Sequence, residues 1–462
     1  MAVEVKVEES AAQEHPNNKV AEENGNVALS QPKTVEKSSS YREESDFLSD
    51  LKEFEKKALF DLKSKLEQAI LGNSLLDKPK GGEESDGSSA AEDEAKPEDS
   101  GEEKTTLRCR ADKDVSLWGI PLLPSKGGEA ADVVLLKFLR AREFKVHDAF
   151  EMLRNTLQWR EDGDINSVLD EEFGAELGSA AYMNGIDKEG HPICYNIYGV
   201  FAEEELYNTT FGTEEKREHF LRWRFQLMEK GIQKLDLRPG GVTSLLQIND
   251  LKNSPGPSRK ELRIAMKQAV GALQDNYPEF VARNIFINVP FWFYTLNALL
   301  SPFLTQRSKS KFVVARPAKV TETLLKYIPA EEVPVQYGGF KKENDFEFSG
   351  QDAAVSEITV KAGSTVTIEI PAEEVGSTLM WELMVLSWEV HYKAEFVPSD
   401  EGSYTIIVQK SKKMVSQSPE LGPIRNTFIN NETGKLVLTI DNTSSKKKRL
   451  FYRYKTKKSP SF

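Results

Sequence analysis

Residues 284–303, NIFINVPFWFYTLNALLSPF, form the one stretch of the chain that is long and apolar enough to suggest a membrane span. A spanning helix needs about 20 predominantly apolar residues with few helix breakers. This stretch contains polar Asn288 and Asn297 and the breakers Pro290 and Pro302. The β-forming residues before Pro290 favour a buried strand, and those after it favour an apolar helix. The apolar surface of such a helix must be shielded from water, and the fold depends on what shields it.

The chain has 462 residues, and its net charge of −12 is confined to the first quarter. Residues 1–106 carry 26 acidic and 14 basic side chains, which leaves 47 of each sign in residues 107–462. The first quarter is poor in aromatics and rich in Glu, Lys, Ser and Gly, so we predict disorder there. Residues 46–70 predict one amphipathic helix, because helical spacing puts these apolar residues in one stripe: Phe47, Leu51, Phe54, Ala58, Leu62 and Leu66. This helix docks on a partner or on the body of the protein, or it is only half-stable in isolation.

The sequence favours a cytoplasmic protein. Only two cysteines, Cys109 and Cys194, occur, and so few suit a reducing compartment. The amino terminus lacks the apolar core of a secretion signal and has Ala2 where myristoylation needs glycine, and the carboxyl terminus lacks a prenylation cysteine. We therefore expect contact with membranes to be peripheral and reversible.

The chain after residue 106 shows two different sequence patterns. Residues 107–165 read as a helical lobe, and in residues 166–342 short apolar runs such as PICYNIYGVF and NIFINV alternate with helical stretches. This alternation predicts a mainly parallel sheet with helices packed against it. Residues 345–458 contain six or more short strands of period two separated by turn residues, which predicts a β-sandwich followed by a tail at 459–462.

Catalytic motifs are scarce in the sequence. It has no glycine-rich phosphate loop, no nucleophile elbow and no metal-ligand spacing. Asp187, His191 and Cys194 lie close enough in sequence to form a Cys–His nucleophile pair. The same segment holds the Gly and Pro of a turn between two strands, and the turn is the favoured interpretation. We expect no enzyme activity, no metal and no cofactor.

Five blocks occur in an order that resembles the CRAL-TRIO lipid-transfer family: LLKFLRAREFKVHDAFEMLRNTLQWR (135–160), DKEGHPICYNIYG (187–199), QINDLKN (247–253), QDNYPEFVARNIFINVPFWFYTLNALLSPFLTQRSKSKF (274–312) and VPVQYGGF (333–340). The β-rich carboxyl-terminal part resembles a GOLD domain. An acidic head, a CRAL-TRIO module and a GOLD module together resemble the patellins of plants. The resemblance implies an α/β domain with an apolar lipid pocket.

The same resemblance implies that the apolar helix is the lid of this pocket, facing acyl chains when shut and the membrane when open. Two acyl chains gain roughly 25 kcal/mol on leaving water, at about 0.8 kcal/mol per methylene, and a bilayer gives them nearly the same. The barrier to lipid exchange is therefore exposure of the chains to water, which a lid that opens against a membrane avoids. The expected lid residues are Phe291, Trp292, Phe293, Leu296, Leu299, Leu300 and Phe303.

The lipid headgroup needs cations. By resemblance to phosphatidylinositol-binding relatives, Arg142, Ser308 and Lys311 hold the phosphate, because arginine and lysine bind phosphate as a fork and a point charge. Glu279 resembles a carboxylate near the inositol hydroxyls, and Asp187 matches another. The alternatives are a helix-surface charge for Arg142 and a turn or cap role for Glu279.

Two departures from the family pattern concern phosphatidylcholine exchange. Glu143 stands where relatives often have a second base. Leu245 and Gln247 stand where phosphatidylcholine-binding members have small hydroxyl residues. The resemblance therefore supports phosphoinositide recognition better than phosphatidylcholine binding.

A basic tail follows the last strands, and its first members are Lys446, Lys447, Lys448 and Arg449. Near an anionic membrane each base contributes about 1 kcal/mol, screened by salt. The alternation of bases and aromatics also fits a last sandwich strand with solvated lysines, so both interpretations stay open. We expect no nucleic-acid partner, although interleaved bases and aromatics also occur at such interfaces.

These features predict a phosphoinositide-binding carrier or adaptor in membrane trafficking, and the patellin resemblance implies a role in cell-plate formation during plant cell division. The GOLD module implies protein partners or membrane contact, and the oligomeric state is not indicated. The alternative is a carrier of a neutral, tocopherol-like molecule, which would not need Lys311 and Arg142. The charge of residues 1–106 predicts competition with lipid for the basic surface, so that deleting them strengthens liposome binding.

Overall fold

A computed structural model describes residues 5–9, 41–76, 115–256, 259–291, 293, 306–415 and 422–458. The described helices, in chain order, are α1 Glu53–Leu71, α2 Pro124–Ala141, α3 Val146–Asp162, α4 Glu204–Phe211, α5 Glu214–Ile232, α6 Lys260–Asn276, α7 Gln306–Ser310 and α8 Val320–Tyr327. The chain divides into two compact units, Lys37–Pro317 and Met1–Glu36 with Ala318–Phe462.

The strands belong to four sheets. In chain order they are β1 Val5–Glu9, β2 Ser116–Leu117, β3 Ile120–Pro121, β4 Ala181–Ile186, β5 Pro192–Ile197, β6 Leu245–Asp250, β7 Val281–Ile287, β8 Phe312–Val314, β9 Ser356–Val360, β10 Ser364–Ala372, β11 Thr378–Val385, β12 Val390–Pro398, β13 Ile406–Met414, β14 Ile424–Ile429, β15 Gly434–Asp441 and β16 Lys448–Lys457.

Helices α1, α2 and α3 form a lobe around one apolar core in the unit Lys37–Pro317. The helix predicted at residues 46–70 is α1, which begins only at Glu53, and it docks on the body of the protein, the second of the three possibilities. Within the predicted stripe Phe47 and Phe54 are exposed. The helical lobe therefore includes α1, whereas the sequence-based boundary placed its start at residue 107. The buried members of the stripe are Leu51, Ala58, Leu62 and Leu66.

A five-stranded sheet of order β4-β5-β6-β7-β8 forms the centre of this unit. Strands β4 and β5 make an antiparallel hairpin, and β5 to β8 run parallel. Helices α4 and α5 connect β5 to β6, and α6 connects β6 to β7. Because parallel strands begin at the same edge of a sheet, the residues that precede β5, β6, β7 and β8 come together there.

The two faces of this sheet differ in burial. One face carries apolar side chains that are almost fully buried, among them Tyr195, Ile248, Ile285 and Val313. The opposite face carries the row Cys194, Gln247, Asn284 and Phe312, of which the last three are only half-buried. A parallel sheet normally has both faces covered by helices, so the half-buried face needs a further cover.

The second unit contains the predicted β-sandwich. Its two sheets have the strand orders β1-β10-β15-β12-β13 and β14-β11-β16-β9. Alternate residues of β10 and β12 are buried in the core between them, as the period of two predicts. Strand β12 begins at Val390 rather than earlier because Ser387, Trp388 and Glu389 all have positive φ.

The largely disordered character predicted for residues 1–106 has an exception at residues 5–9. These residues form β1, which pairs antiparallel with β10 at the edge of a sandwich sheet. Residues 41–45 are a second exception, because they contact the body of the protein. Residues 1–4, 10–40 and 77–106 lie outside the described residues, so for them the prediction is untested. Among the described residues, no helix combines the length and the apolar composition that a membrane crossing requires.

Candidate functional site

Charged side chains gather at the edge of the central sheet where the parallel strands begin. His191 directly precedes β5, Ser244 precedes β6, and Lys311 precedes β8. Glu279 lies two residues before β7. We name the following residues the edge cluster: Lys137, Arg140, His191, Glu279, Arg307 and Lys311.

Glu279 is the acceptor at the centre of the edge cluster. Its Oε1 accepts from Arg307 Nε at 2.8 Å, and its Oε2 accepts from Lys311 Nζ at 2.7 Å and Arg307 Nη2 at 3.1 Å. Burial alone would raise the pKa of Glu279, but Arg307 and Lys311 outweigh it and hold that pKa below its usual value. The backbone of Glu279 is left-handed, with φ of 57°, a conformation that costs a non-glycine residue roughly 1–3 kcal/mol and is found preferentially at functional sites.

Lys137 carries a buried ammonium group that connects the starts of β6 and β7. Its Nζ donates to the carbonyl oxygens of Thr243 at 2.8 Å and Glu279 at 2.9 Å, and it lies 4.5 Å from the centre of the Phe280 ring. Burial lowers the pKa of Lys137 to about 8, although nearby carboxylates oppose this shift. Lys137 therefore fixes the starts of β6 and β7 relative to α2.

His191 is held between two carboxylates. Its Nδ1 lies 2.9 Å from Asp187 Oδ2, and its Nε2 lies 2.7 Å from Glu43 Oε2. Burial would lower the pKa of His191, but the two carboxylates raise it to about 9, which makes the ring an imidazolium that donates both N–H groups. Asp187 Oδ1 also accepts from the backbone N–H of Glu189 and His191 in the β4–β5 turn, where Gly190 takes a positive φ.

A short acidic segment, Tyr41 to Asp46, lies on the edge cluster. Glu43 contacts His191 and accepts from the hydroxyl of Ser244. Burial would raise the pKa of Glu43, but these hydrogen bonds lower it to about 2. We name residues 41–46 the acidic segment.

The next carboxylates of the acidic segment contact arginines. Glu44 accepts from Arg307 at 2.8 and 3.1 Å and lies 3.0 Å from Arg140 Nε. Asp46 accepts from Arg140 Nη1 at 2.5 Å and is itself 8% exposed. Arg140 Nη2 also donates to the backbone oxygen of Ser45 at 2.7 Å.

Tyr41 covers the opposite end of the cluster. Lys311 Nζ lies 4.8 Å and the Arg307 guanidinium 5.7 Å from the centre of the Tyr41 ring, within the range of cation–π attraction. The backbone oxygen of Tyr41 accepts from Arg283 Nη2 at 3.0 Å. Burial, together with Glu279, raises the pKa of Tyr41, so the phenol stays neutral.

The structure brings together some of the residues expected at the headgroup site. Glu279 and Lys311 contact each other directly, whereas Asp187 bonds to His191 and to the backbone of the β4–β5 turn. Arg142 caps α2, and the hydrogen bond given for its guanidinium runs to the Ala141 oxygen at 3.4 Å. The side chain of Ser308 lies outside the described residues.

Two arginines outside the expected set, Arg140 and Arg307, lie in the edge cluster and pair with carboxylates there. Lys137 and Arg140 are three positions apart on α2, so their side chains share one face of the helix. Arg142 is two positions further on and projects from a different face. The helical spacing in the sequence therefore places Arg140, and not Arg142, on the face of α2 that also carries Lys137.

The Cys–His pair lacks the features of a nucleophile site. Both ring nitrogens of His191 contact carboxylates, and burial raises the pKa of the Cys194 thiol to about 11. A nucleophilic cysteine needs a lowered pKa or an adjacent free base. Here the turn interpretation of residues 187–192 describes the segment.

The expected lid begins beside the half-buried face of the sheet. Phe291 is 89% exposed, and Phe293 is half-buried with its ring centre 5.2 Å from that of Phe286 on β7. A row of hydrogen bonds crosses the same face, from Arg224 to Asn196 at 2.8 Å, then to Asn249 and Asn284 at 3.2 Å each. The remaining lid residues, Trp292, Leu296, Leu299, Leu300 and Phe303, lie outside the described residues, so the lid and the pocket behind it stay predictions.

The basic residues of the tail differ in burial, because β16 begins among them. Lys446 and Lys447 are exposed before β16. Lys448 is buried, and its Nζ lies 3.4 Å from Glu389, so its assignment to a membrane-facing surface is wrong. Arg449 forms a bidentate pair with Glu357 at 2.5 and 2.9 Å.

Comparison with known proteins identifies three family models along the chain. The CRAL/TRIO N-terminal domain matches residues 58–155, the CRAL/TRIO domain matches residues 177–339, and the Patellin-1-like C-terminal GOLD domain matches residues 361–448.

Curated relatives extend these matches over most of the chain. Patellin-4 of Arabidopsis thaliana is 54% identical over 93% of this chain and 91% of its own length. Patellin-3 of Arabidopsis thaliana is 47% identical over 90% of this chain and 78% of its own. The phosphatidylinositol transfer protein SFH5 of Scheffersomyces stipitis is 30% identical over 46% of this chain and 67% of its own.

Proposed function

The chain belongs to the patellin family, and from this premise we propose that it binds phosphoinositides at the edge cluster and carries or presents them at membranes. The predicted family is thereby confirmed, as is the predicted fold class of a CRAL-TRIO domain followed by a GOLD sandwich. The finer statements, on the lipid, the membrane and the cell, are the proposal.

The convergence of Arg307 and Lys311 on Glu279 is the observation that carries the proposal. A guanidinium and an ammonium bind phosphate as a bidentate fork and a mobile point charge. A carboxylate can accept hydrogen bonds from inositol hydroxyls, which is the role we assign to Glu279. The SFH5 relative, named as a phosphatidylinositol transfer protein, supports the same lipid class.

The acyl chains belong, in this proposal, on the half-buried face of the central sheet. Phe286 and Phe312 supply apolar area there, with ring centres 5.5 Å apart. The apolar segment that begins at Phe291 is the expected cover. Burial of the chains offsets most of the free energy of leaving the bilayer, at about 0.8 kcal/mol per methylene.

The cellular part of the proposal is peripheral membrane association in trafficking, including cell-plate formation. Reversible binding suits a protein that samples membranes, because a single headgroup site holds it only while the lipid is engaged. The GOLD sandwich would then serve as the surface for protein partners or for a second membrane contact.

Vesicle flotation and lipid transfer test the proposal. Lys311→Ala removes the point charge at the site, and Lys267→Ala removes an exposed lysine on α6 as the matched control. We expect Lys311→Ala to lower affinity for phosphatidylinositol 4-phosphate vesicles about tenfold or more, and Lys267→Ala to leave it unchanged. Equal affinity of Lys311→Ala and wild type would contradict the proposal.

Native mass spectrometry of the purified protein separates the two candidate ligand classes. A co-purified phosphoinositide supports the edge cluster as a headgroup site. A neutral, tocopherol-like molecule retained equally by wild type and Lys311→Ala would favour the alternative carrier.

A further inference from the structure

The acidic segment has the contacts expected of a ligand. Its carboxylates at Glu43, Glu44 and Asp46 reach the edge cluster from one short stretch of chain. The Glu44 carboxylate lies between the guanidinium groups of Arg140 and Arg307, as one phosphate between two arginines would. Tyr41 contributes an aromatic face over the two cations at the other end.

We propose that residues 41–46 are an internal anionic ligand of the edge cluster, so that this segment and a phosphoinositide headgroup exclude each other. The inference rests on the proposed function and names the regulation of the same site. It differs from competition by the net charge of residues 1–106, because it assigns the effect to three carboxylates with defined partners.

The charges on the two sides of this contact are complementary. Arg307 and Lys311 of the edge cluster share one body carboxylate, Glu279, whereas Arg140 pairs with Glu44 and Asp46 of the acidic segment. Arg140 is 9% exposed and Lys311 is 8% exposed. Buried cations without an anion are strongly unfavourable. When the acidic segment leaves, Arg140 and Arg307 lose the carboxylates of Glu44 and Asp46, and a phosphorylated headgroup supplies a replacement anion.

The acidic segment can leave without unfolding the helical lobe. Its carboxyl-terminal side is anchored where Leu51 is buried and where Glu55 accepts from the backbone N–H of Lys52 at 2.9 Å at the start of α1. A turn between Ser45 and Asp50, whose side chains are 2.6 Å apart, precedes this anchor. The segment is thus tethered beside its site, which gives it a high effective concentration there.

The test compares two triple variants by their affinity for a water-soluble, short-chain phosphatidylinositol 4-phosphate in calorimetry. Glu43→Gln, Glu44→Gln and Asp46→Asn remove the three charges and keep the side-chain shapes. Glu214→Gln, Glu215→Gln and Glu218→Gln neutralise three exposed acids of α5 as the control for net charge. We expect about tenfold tighter binding for the first variant, the factor that follows if the segment occupies the site about nine-tenths of the time. The control variant should bind like wild type.

Hydrogen exchange gives a second measurement. Adding the short-chain lipid to wild type should increase exchange of the backbone amides of residues 42–47, while the amides of α1 stay protected. Unchanged affinity of the acidic-segment variant, or unchanged exchange at saturating lipid, overturns the inference. Such a result differs from failure of the proposed function. If the proposed function fails, Lys311→Ala binds the lipid as tightly as wild type does. Inorganic phosphate in place of the lipid distinguishes headgroup recognition from simple anion binding, since only a headgroup also engages Glu279.

Discussion

The Glu43 carboxylate lies 2.7 Å from Nε2 of His191, a residue 148 positions further along the chain. This contact connects the acidic quarter of the sequence to the edge of the CRAL-TRIO sheet. Because Asp187 occupies the other ring nitrogen, the charge of His191 depends on carboxylates from both sides. The contact therefore makes docking of the acidic segment sensitive to pH.

We predict that the stabilising effect of His191 disappears in mildly alkaline solution. The pKa of His191 is raised from about 6.5 to about 9. The folded state thus binds the proton more tightly, and the gain, up to about 3 kcal/mol, is complete below pH 6.5 and lost as pH rises through 9. The melting temperature of wild type should exceed that of His191→Gln most at pH 6 and converge with it near pH 9.5.

The titration of Glu43 and Lys137 does not disturb this comparison of melting temperatures. Glu43, with a pKa of about 2, stays ionised throughout that range. Lys137, with a pKa of about 8, titrates within it but is present in both proteins, so its effect cancels in the difference. A constant difference in melting temperature from pH 6 to 9.5 would refute a charged role for His191.

Arg140 and Arg142 should differ sharply when each is replaced by alanine. Arg140→Ala removes the partner of Asp46, and because the acidic segment can then leave its site, we expect a loss of about 1.4 kcal/mol, the tenfold factor of its nine-tenths occupancy. Arg142 is half-buried at the end of α2, and its replacement should change the free energy of unfolding by about 0.5 kcal/mol or less. Urea denaturation measures both. A larger loss for Arg142→Ala than for Arg140→Ala would contradict this ranking.

Most of the fold could be predicted from the sequence because local patterns specify its strands and helices. The period of two in β12 and the strand–helix alternation of residues 181–314 both reappear in the structure. Within the site, Glu279 and Lys311 were identified because each stands in a recognisable block next to a strand.

Long-range contacts account for what the sequence analysis missed. Residues 41–46 have the composition of a disordered tail, and only their partners, about 100 to 260 positions away, order them. Arg307 likewise shows no local sign of its pairing with Glu279 and Glu44. Charge balance between distant segments has no periodicity, so a single sequence does not reveal it.

Glu279 and Arg307 should show strong energetic coupling. The pair is bidentate, and Glu279 has a side chain only 13% exposed. We expect a double-mutant cycle of Glu279→Gln and Arg307→Gln to give a coupling of about 1–3 kcal/mol in the free energy of unfolding. The cycle removes the separate contribution of Lys311, which remains in all four proteins. Additive effects would mean that Arg307 is held by Glu44 alone.

The buried charges of the GOLD sandwich should be more important for stability than its exposed pairs. Glu382 is fully buried and accepts from Arg453 and Arg425 at 2.7 Å each. Glu382→Ala leaves Arg453 buried with less compensation, and we expect a loss of about 3–5 kcal/mol. Glu357→Ala, which breaks the exposed pair with Arg449, should cost about 1 kcal/mol or less. Thermal unfolding can be followed by circular dichroism. Equal melting temperatures of the two variants would contradict this ranking.

The exposed lysines before β16 provide the last prediction. If Lys446 and Lys447 face an anionic membrane, replacing both by glutamine should weaken vesicle binding by roughly 2 kcal/mol at low salt, about thirtyfold. Lys412→Gln with Lys413→Gln on β13 is the matched control, because these lysines are also exposed on the sandwich. Salt should erase the difference, since the Debye length shortens to about 3 Å at 1 M. Equal weakening by both pairs would assign the effect to net charge rather than to the tail.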